Sequence, residues 1–190
     1  MTGKTGKFPS LPAAGKSSVL EELSPSQGLE ILKRLANEDA NISKRANVLA
    51  REYLSEIDPD VIADEVFLSL NGIEVEDVWQ NSGRTRYGYI DPYELASDMF
   101  EEALEPYLEE MRKCHKLSLY REAKLHCMGI LEGIYRFEVE ATSEFQDWVT
   151  DVPQNNFEQV LEEWQKRNRD PSLLDEMDMF VKSNFERWKR

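Results

Sequence analysis

The two cysteines and two histidines of the chain stand in two adjacent pairs, Cys114-His115 and His126-Cys127. Two thiolates and two imidazoles are a common ligand set for zinc. Both pairs lie within predicted helices, where neighbouring side chains point about 100° apart, so each pair can direct only one ligand toward a shared ion. The spacing therefore predicts core cysteines and partly buried histidines, without a metal site or any other cofactor.

The remaining motifs for catalysis are incomplete. Glu122 and His126 stand four residues apart, which predicts a helix-stabilising pair and a raised pKa of His126. Glu102 and Glu105 have the spacing of magnesium-binding carboxylates, but the next acidic pair of that spacing is far along the chain. Gly15 begins a Gly-Lys-Ser tripeptide that lacks the earlier glycine of a phosphate-binding loop. We therefore predict no catalytic residues, and the missing motifs disfavour an enzyme without excluding one.

Residues 82–90 form a cationic and aromatic segment in an otherwise acidic chain. Arginine, tyrosine and tryptophan are the residues that most often anchor protein interfaces, and they also bind phosphate or stack on bases. In the alternative interpretation, the arginines pair with neighbouring carboxylates and the tyrosines pack as a buried corner. The candidate binding residues are Trp79, Arg84, Arg86, Tyr87 and Tyr89.

The stretch from Asp91 to Phe137 predicts two amphipathic helices joined by a short turn. Asp91-Pro92 is a helix-start signal, and apolar residues then recur every three or four positions, with glutamates on the opposite face. Ser118 is the predicted N-cap of the second helix. Gly129 and Gly133 lie four apart within it, and this spacing predicts the close approach of another helix, because glycine costs about 1 kcal/mol in a helix interior.

Helices are predicted along most of the remaining chain. Three further capping residues are followed directly by proline, at Ser24, Asp58 and Asp170, and each begins an apolar stripe of helical period. Other helices are predicted at about 40–57, 74–80, 143–149 and 153–166. No run of alternating, β-branched residues predicts a strand.

Two stretches resemble known helical segments. Leu119-Tyr120-Arg121-Glu122-Ala123, followed by Cys127 and Ile130, resembles the turn and second helix of a tetratricopeptide repeat. The stretch from Val75 to Phe137 resembles uncharacterised helical segments found beside SWIM-type zinc fingers, although the Cys-x-Cys and Cys-x-His motif of that finger is absent. The resemblances imply a helical-repeat architecture. The predicted fold class is all-α, with helical hairpins packed as a short α-solenoid of tetratricopeptide or HEAT type, or as an irregular helical bundle.

The 190 residues carry a net charge of -14. Residues 1–20 hold three lysines and no acid, so the other 170 residues carry a net charge of -17. Such a field repels nucleic acid and anionic membranes. No apolar run approaches the roughly 18 residues of a membrane span, no signal-peptide pattern is present, and two cysteines fit a reducing compartment. We expect a cytoplasmic protein without a membrane or nucleic-acid partner.

The domain organisation and function follow from these features. Residues 1–23, rich in glycine, proline, serine and lysine, predict a flexible basic tail, and residues 24–190 predict a single all-helical domain. The predicted function is a protein-interaction or scaffold module of helical-repeat type that binds a protein partner, with a homodimer left open. The alternatives are a metal-dependent enzyme with a carboxylate-lined site, or a nucleic-acid-associated accessory protein that acts through the lysine tail and the Arg84 segment.

Overall fold

A computed structural model describes residues 19–86 and 88–188, apart from the side chain of Thr85. This part of the chain is all-α, as predicted, with eight α-helices, three short 3-10 helices and one two-stranded hairpin. The α-helices are α1 (Pro25–Glu38), α2 (Ala40–Leu54), α3 (Pro59–Asn71), α4 (Val75–Asn81), α5 (Pro92–Lys116), α6 (Tyr120–Glu140), α7 (Val152–Arg167) and α8 (Pro171–Asn184). The 3-10 helices are Val19–Glu22, Glu144–Trp148 and Glu186–Trp188. Among these residues, no helix combines the length and apolar composition that a membrane span requires.

The chain divides into two compact units, residues 1–53 and 54–190. The boundary between them falls inside the segment 24–190, for which the sequence predicts one domain. Of the predicted tail 1–23, residues 19–22 form a short 3-10 helix, and residues 1–18 lie outside the described part of the chain.

The described part of the first unit consists mainly of α1 and α2. The Ser24 hydroxyl accepts a hydrogen bond from the backbone N–H of Gln27, whose side chain accepts one from the Ser24 N–H, so α1 begins with a reciprocal capping box. Neither α1 nor α2 contains a buried residue. The apolar stripe predicted on α1 is therefore exposed, with Leu29 52%, Leu32 45% and Leu35 42% accessible.

The second unit is built around α6, which packs against α3, α5, α7 and α8. Its core includes four residues predicted to face inward, Phe100, Leu104, Ile130 and Ile134, and all four are fully buried. Helix α6 thus contacts its partner α5, the preceding helix α3 and the following pair α7 and α8. This arrangement fits either of the two predicted architectures, a short α-solenoid or an irregular helical bundle.

The close approach predicted at the two glycines of α6 is confirmed, and α3 is the helix that approaches. A Cβ atom added to Gly129 would lie 2.7 Å from the Cβ atom of Ile62. One added to Gly133 would lie 2.5 Å from the Cβ atom of Val66. The two glycines therefore let α3 and α6 pack at a distance that any side chain would prevent.

The turn between α5 and α6 differs from the prediction. Ser118 adopts a left-handed conformation with a φ of 58° and closes α5, while Leu119 is the N-cap of α6. The backbone N–H groups of Ser118 and Leu119 donate to the carbonyls of His115 and Cys114 at 3.0 and 2.9 Å. This is a Schellman motif. Ser118 was predicted as an N-cap because its hydroxyl suits that role, but the chain reverses one residue later.

The segment 82–90 is also more regular than the sequence predicts, because it forms a β-hairpin. Strand β1 (Gly83–Thr85) pairs antiparallel with β2 (Gly88–Ile90). Gly83 and Gly88 have φ values of 87° and 142°, which L side chains rarely adopt. The prediction that the chain contains no strand is therefore wrong for this hairpin. Strands of three residues are too short to show the alternating pattern from which strands are predicted.

Candidate functional site

The β-hairpin presents two arginines and a tyrosine to solvent. Arg84 lies opposite Tyr89 in the strand register, so their side chains share one face of the hairpin. Both arginines are exposed, and Tyr89 is 69% exposed. Neither guanidinium forms an ion pair within the part of the chain that the structure describes. The alternative of paired arginines and a buried tyrosine therefore does not hold for these three residues, and Tyr87 lies outside the described residues.

Three aromatic rings pack together at the surface of the second unit. The ring centroids of Trp79 and Trp148 are 4.9 Å apart with an interplanar angle of 81°, and those of Tyr93 and Trp148 are 5.0 Å apart at 30°. Trp79 and Tyr93 are 59% and 62% exposed, whereas Trp148 is partly buried against the core. We call Trp79, Tyr93 and Trp148 the aromatic surface.

Local anchors hold these rings in place. Val75 and Val78 of α4 are buried and leave Trp79 on the outer face of that short helix. The Asp91 carboxylate accepts a hydrogen bond from the Tyr93 N–H at 2.9 Å and so fixes the first turn of α5. Phe145 is fully buried beside Trp148 in its 3-10 helix. These contacts anchor the aromatic surface to the rest of the second unit.

The sequence predicted Trp79 as a binding residue but missed Tyr93 and Trp148. These two residues are 55 positions apart in the chain, and their contact joins the start of α5 to the 3-10 helix Glu144–Trp148. Hydrophobic periodicity describes one helix at a time, so it gives no signal for a contact of this kind. The exposure of Trp79 is likewise a tertiary property.

Three of the four residues in the cysteine and histidine pairs are buried in the second unit, and His126 is partly buried. Cys114 and Cys127 are buried free thiols, and burial raises the pKa of each. His115 is also buried. In residues 19–86 and 88–188, no group of three or more histidine, cysteine, aspartate or glutamate side chains is placed to hold a metal ion.

The predicted effect of Glu122 on His126 is wrong. Burial lowers the pKa of His126. The charge of Glu110 raises it by a smaller amount, and the charge of Lys113 lowers it further. A lowered pKa means that the imidazole is held neutral, whereas the i, i+4 spacing with Glu122 predicted a raised value. Desolvation is the largest cause of this shift, and the charges that act on His126 are those of Glu110 and Lys113.

Several carboxylates of the second unit form ion pairs with arginine or lysine side chains. Arg112 donates to both oxygens of Glu163 at 2.8 and 3.0 Å, and to Glu105 at 2.7 Å. These contacts join α5 to α7, and the hydrogen bonds from Arg112 lower the pKa of Glu163. Glu105 belongs to the pair whose spacing alone resembles that of magnesium-binding carboxylates, and in the structure it pairs with the Arg112 guanidinium.

A groove of about 640 Å³ is lined by residues of α7 and α8. Its apolar wall includes Phe157, Leu161 and Trp188, and three carboxylates stand along its rim. Two of them pair with lysines one turn away on their own helices, Glu162 with Lys166 at 2.7 Å and Asp178 with Lys182 at 3.4 Å. Each of these two carboxylates is therefore held toward a lysine on its own helix, and the two do not converge on one point.

No family model, curated protein or solved structure matches the chain.

Proposed function

We propose that this protein is an interaction module that binds another protein through the aromatic surface of its second unit. The observation that carries the proposal is the exposure of Trp79 and Tyr93, at 59% and 62%, while their rings pack against Trp148. Ordered aromatic side chains that remain open to solvent contribute large contact areas and lose little entropy on binding. A surface of this kind supports a binding role.

The hairpin arginines indicate which chemical groups the proposed partner presents. Arg84 and Arg86 are exposed cations next to the aromatic surface in the sequence, and guanidinium groups bind carboxylates with two parallel hydrogen bonds. The proposed ligand is a polypeptide segment that places an apolar side chain on the rings and a carboxylate on the hairpin. Two buried free cysteines fit a reducing compartment, so the proposed location is the cytoplasm.

The charge of the second unit favours a polypeptide over nucleic acid. Residues 54–190 contain 15 basic and 31 acidic residues, which gives a net charge of -16. Nucleic-acid binding depends on neutralising phosphates with many cations, and a field of this sign opposes it. Two arginines on one hairpin are enough for a carboxylate ligand and too few for an extended polyanion.

The proposal is tested with peptides selected from a displayed random library against the full chain. The affinity of a selected peptide is then measured by fluorescence anisotropy for wild type, Trp79→Ala and the double variant Arg84→Ala/Arg86→Ala. We expect Trp79→Ala to weaken binding by at least about tenfold, since exposed aromatic anchors dominate interfaces. The arginine variant should weaken it severalfold and make the remaining binding less sensitive to salt.

Matched controls distinguish this surface from any other. Tyr120→Ala removes an exposed aromatic side chain outside the aromatic surface, and Arg121→Ala/Arg169→Ala removes two exposed cations elsewhere on the unit. Both controls should bind the peptide as wild type does. Selected peptides that bind Trp79→Ala with unchanged affinity would refute the proposal. Salt-sensitive binding of a single-stranded oligonucleotide, lost in the arginine variant, would favour the nucleic-acid alternative instead.

A further inference from the structure

Helix α2 of the first unit carries an exposed apolar stripe with the spacing of a coiled-coil seam. Ile42, Ala46, Leu49 and Tyr53 follow one another at intervals of four, three and four residues. A broad apolar face packs against a globular core, whereas a narrow stripe of this period packs against one other helix. Ile42, Leu49 and Tyr53 are 37%, 48% and 79% exposed, so this seam is open.

The seam forms the floor of an apolar groove of about 630 Å³. Leu32 of α1 also lines this groove, and Arg45 and Ala50 flank the seam along α2. All the lining residues belong to the first unit. An isolated helix of this length is marginal in water, so a stable α2 needs a partner along its seam.

We propose that a second copy of this chain fills the groove, with the two α2 helices packed antiparallel about a twofold axis. In this register Ile42 lies opposite Tyr53 of the second copy, and Ala46 lies opposite Leu49 of the second copy. Each layer thus pairs a larger side chain with a smaller one, which is how facing positions of a helix pair interdigitate. The twofold axis passes between Asn47 and Val48, and every contact occurs twice.

The charges beside the seam select the antiparallel orientation. Arg45 and Glu52 occupy the two flanking positions on one side, whereas Ser43 and Ala50 occupy those on the other. When two such helices run antiparallel, the same side of each helix meets. Arg45 of one copy therefore faces Glu52 of the second copy, and Glu52 of the first copy faces Arg45 of the second. The small Ser43 and Ala50 flanks also meet and allow close approach. A parallel pair would place Arg45 against Ala50 and form neither ion pair.

The net charge of residues 19–53 permits this contact between two copies. Residues 19–53 contain six acidic and five basic residues, so this region of one copy meets the same region of the second copy with almost no net repulsion. Lys44 and Arg51 lie on the side of α2 away from the seam and remain in solvent. The dimer goes beyond the proposed function, because it uses other residues, and it would carry two aromatic surfaces and so strengthen binding to a repeated ligand.

The test begins with the mass of the full chain, measured by sedimentation equilibrium across a concentration series from about 1 to about 200 μM. Wild type should show a concentration-dependent shift from the chain mass to twice that mass. Leu49→Asp places a carboxylate in the seam and should hold the chain at the monomer mass. A wild-type chain that stays monomeric over the whole series would overturn the proposal.

A charge exchange tests the register. Arg45→Glu and Glu52→Arg each set like charges opposite one another and should weaken self-association by roughly tenfold. An equimolar mixture of the two variants should restore the dimer, since both cross-pairs then carry opposite charges. The mixture recovers the dimer only if both chains are folded, so a folding defect cannot imitate this result.

Arg51→Glu is the matched control, because it makes the same change of charge on the same helix away from the seam. It should leave the dissociation constant within about twofold of wild type. If Arg51→Glu weakens the dimer as much as Arg45→Glu, or if the mixture does not recover, the antiparallel α2 pairing is wrong. Peptide binding is also measured for Leu49→Asp chains by fluorescence anisotropy. This measurement distinguishes a failure of the α2 dimer from a failure of binding at the aromatic surface.

Discussion

Gly133 of α6 lies directly against Val66 of α3. A Cβ atom on Gly133 would stand 2.5 Å from the Cβ atom of Val66 and 2.9 Å from the carbonyl oxygen of Ala63. Val66 is fully buried, so it has no free space into which it can move. The helix interior therefore keeps a glycine that helix propensity alone disfavours by about 1 kcal/mol, because the approach of α3 depends on it.

Gly133→Ala should destabilise the second unit. The added methyl group forces α3 outward, and overpacking of this kind costs about 1–3 kcal/mol, which exceeds the gain in helix propensity. All four tryptophans lie in residues 54–190, so urea unfolding followed by tryptophan fluorescence reports this unit. The double variant Gly133→Ala/Val66→Ala should regain part of the loss in a double-mutant cycle, since the smaller side chain relieves the clash.

Gly28→Ala is the control for that substitution. A Cβ atom on Gly28 of α1 would meet nothing within 4 Å, so the same change should raise helicity there and stabilise by up to about 1 kcal/mol. Far-UV circular dichroism measures it. A Gly133→Ala chain as stable as wild type would show that α3 can shift without cost.

Signals read from neighbouring residues were reliable in this chain. Ser24, Asp58, Asp91 and Asp170 all cap helices whose first residue is proline, as their sequence predicts. Such caps depend on groups within three residues, so no distant contact can override them easily. The close approach at Gly133 was predicted for a similar reason, because the cost of glycine in a helix is local, although the approaching helix could not be named.

Features that depend on distant contacts were missed or wrong. The exposed Tyr93 meets Trp148 across 55 residues, and no spacing rule joins them. The pKa of His126 is lowered because the surrounding core desolvates it, whereas sequence spacing shows only Glu122. The exposed leucines of α1 carry a helical apolar stripe, but periodicity predicts a face and not what covers it.

Ser118→Gly should stabilise the turn between α5 and α6. Ser118 holds a φ of 58°, a conformation that costs a residue with a Cβ atom about 1 kcal/mol and costs glycine almost nothing. We expect a gain of about 0.5–1 kcal/mol in the free energy of unfolding, measured in urea. Ser183→Gly, within α8, is the control and should lose about 0.5 kcal/mol, because there glycine replaces a helical residue. Equal effects of the two changes would contradict the Schellman geometry.

His115 should make the second unit less stable in mild acid. Burial lowers its pKa from the ordinary 6.5, and the nearby positive charge of Arg167 adds to this, while Glu163 opposes it. The unfolded chain therefore binds a proton more readily, so the stability that neutral His115 contributes is full above about pH 6.5 and is lost as the pH falls toward its folded pKa.

His115→Phe should reduce that loss. Neither ring nitrogen of His115 has a hydrogen-bond partner among the described residues, so a phenyl ring also removes two buried polar atoms and should stabilise by about 1 kcal/mol at pH 7. Unfolding free energies at about pH 7.5 and about pH 5.5 measure the effect. The slope that remains includes the contribution of His126, whose pKa is also lowered, and contributions of opposite sign from Glu132 and Glu138, whose pKa values burial raises. A variant with the slope of wild type would show that His115 does not titrate in this range.

The stability that the pair of Arg112 and Glu163 contributes should also be lost as the pH falls, but over a lower range of pH than that of His115. Arg112 binds both carboxylate oxygens at 2.8 and 3.0 Å, and these hydrogen bonds lower the pKa of Glu163 from its ordinary 4.5. A carboxylate with a lowered pKa contributes its full stability above about pH 4.5 and loses it as the pH falls through the folded pKa. Glu163→Gln should therefore cost about 1–2 kcal/mol at pH 7 and progressively less below pH 4.

Glu110→Gln is the matched change at an exposed pair. Glu110 and Lys113 are 2.8 Å apart with both side chains 49% exposed, so this variant should cost less than about 0.5 kcal/mol at pH 7. Urea unfolding of wild type and both variants between about pH 7 and about pH 3 measures the difference. If Glu163→Gln costs no more than Glu110→Gln, the bidentate contact contributes nothing beyond a surface ion pair. A cost that stays constant down to pH 3 would instead place the effect in packing between α5 and α7 and not in the charge of Glu163.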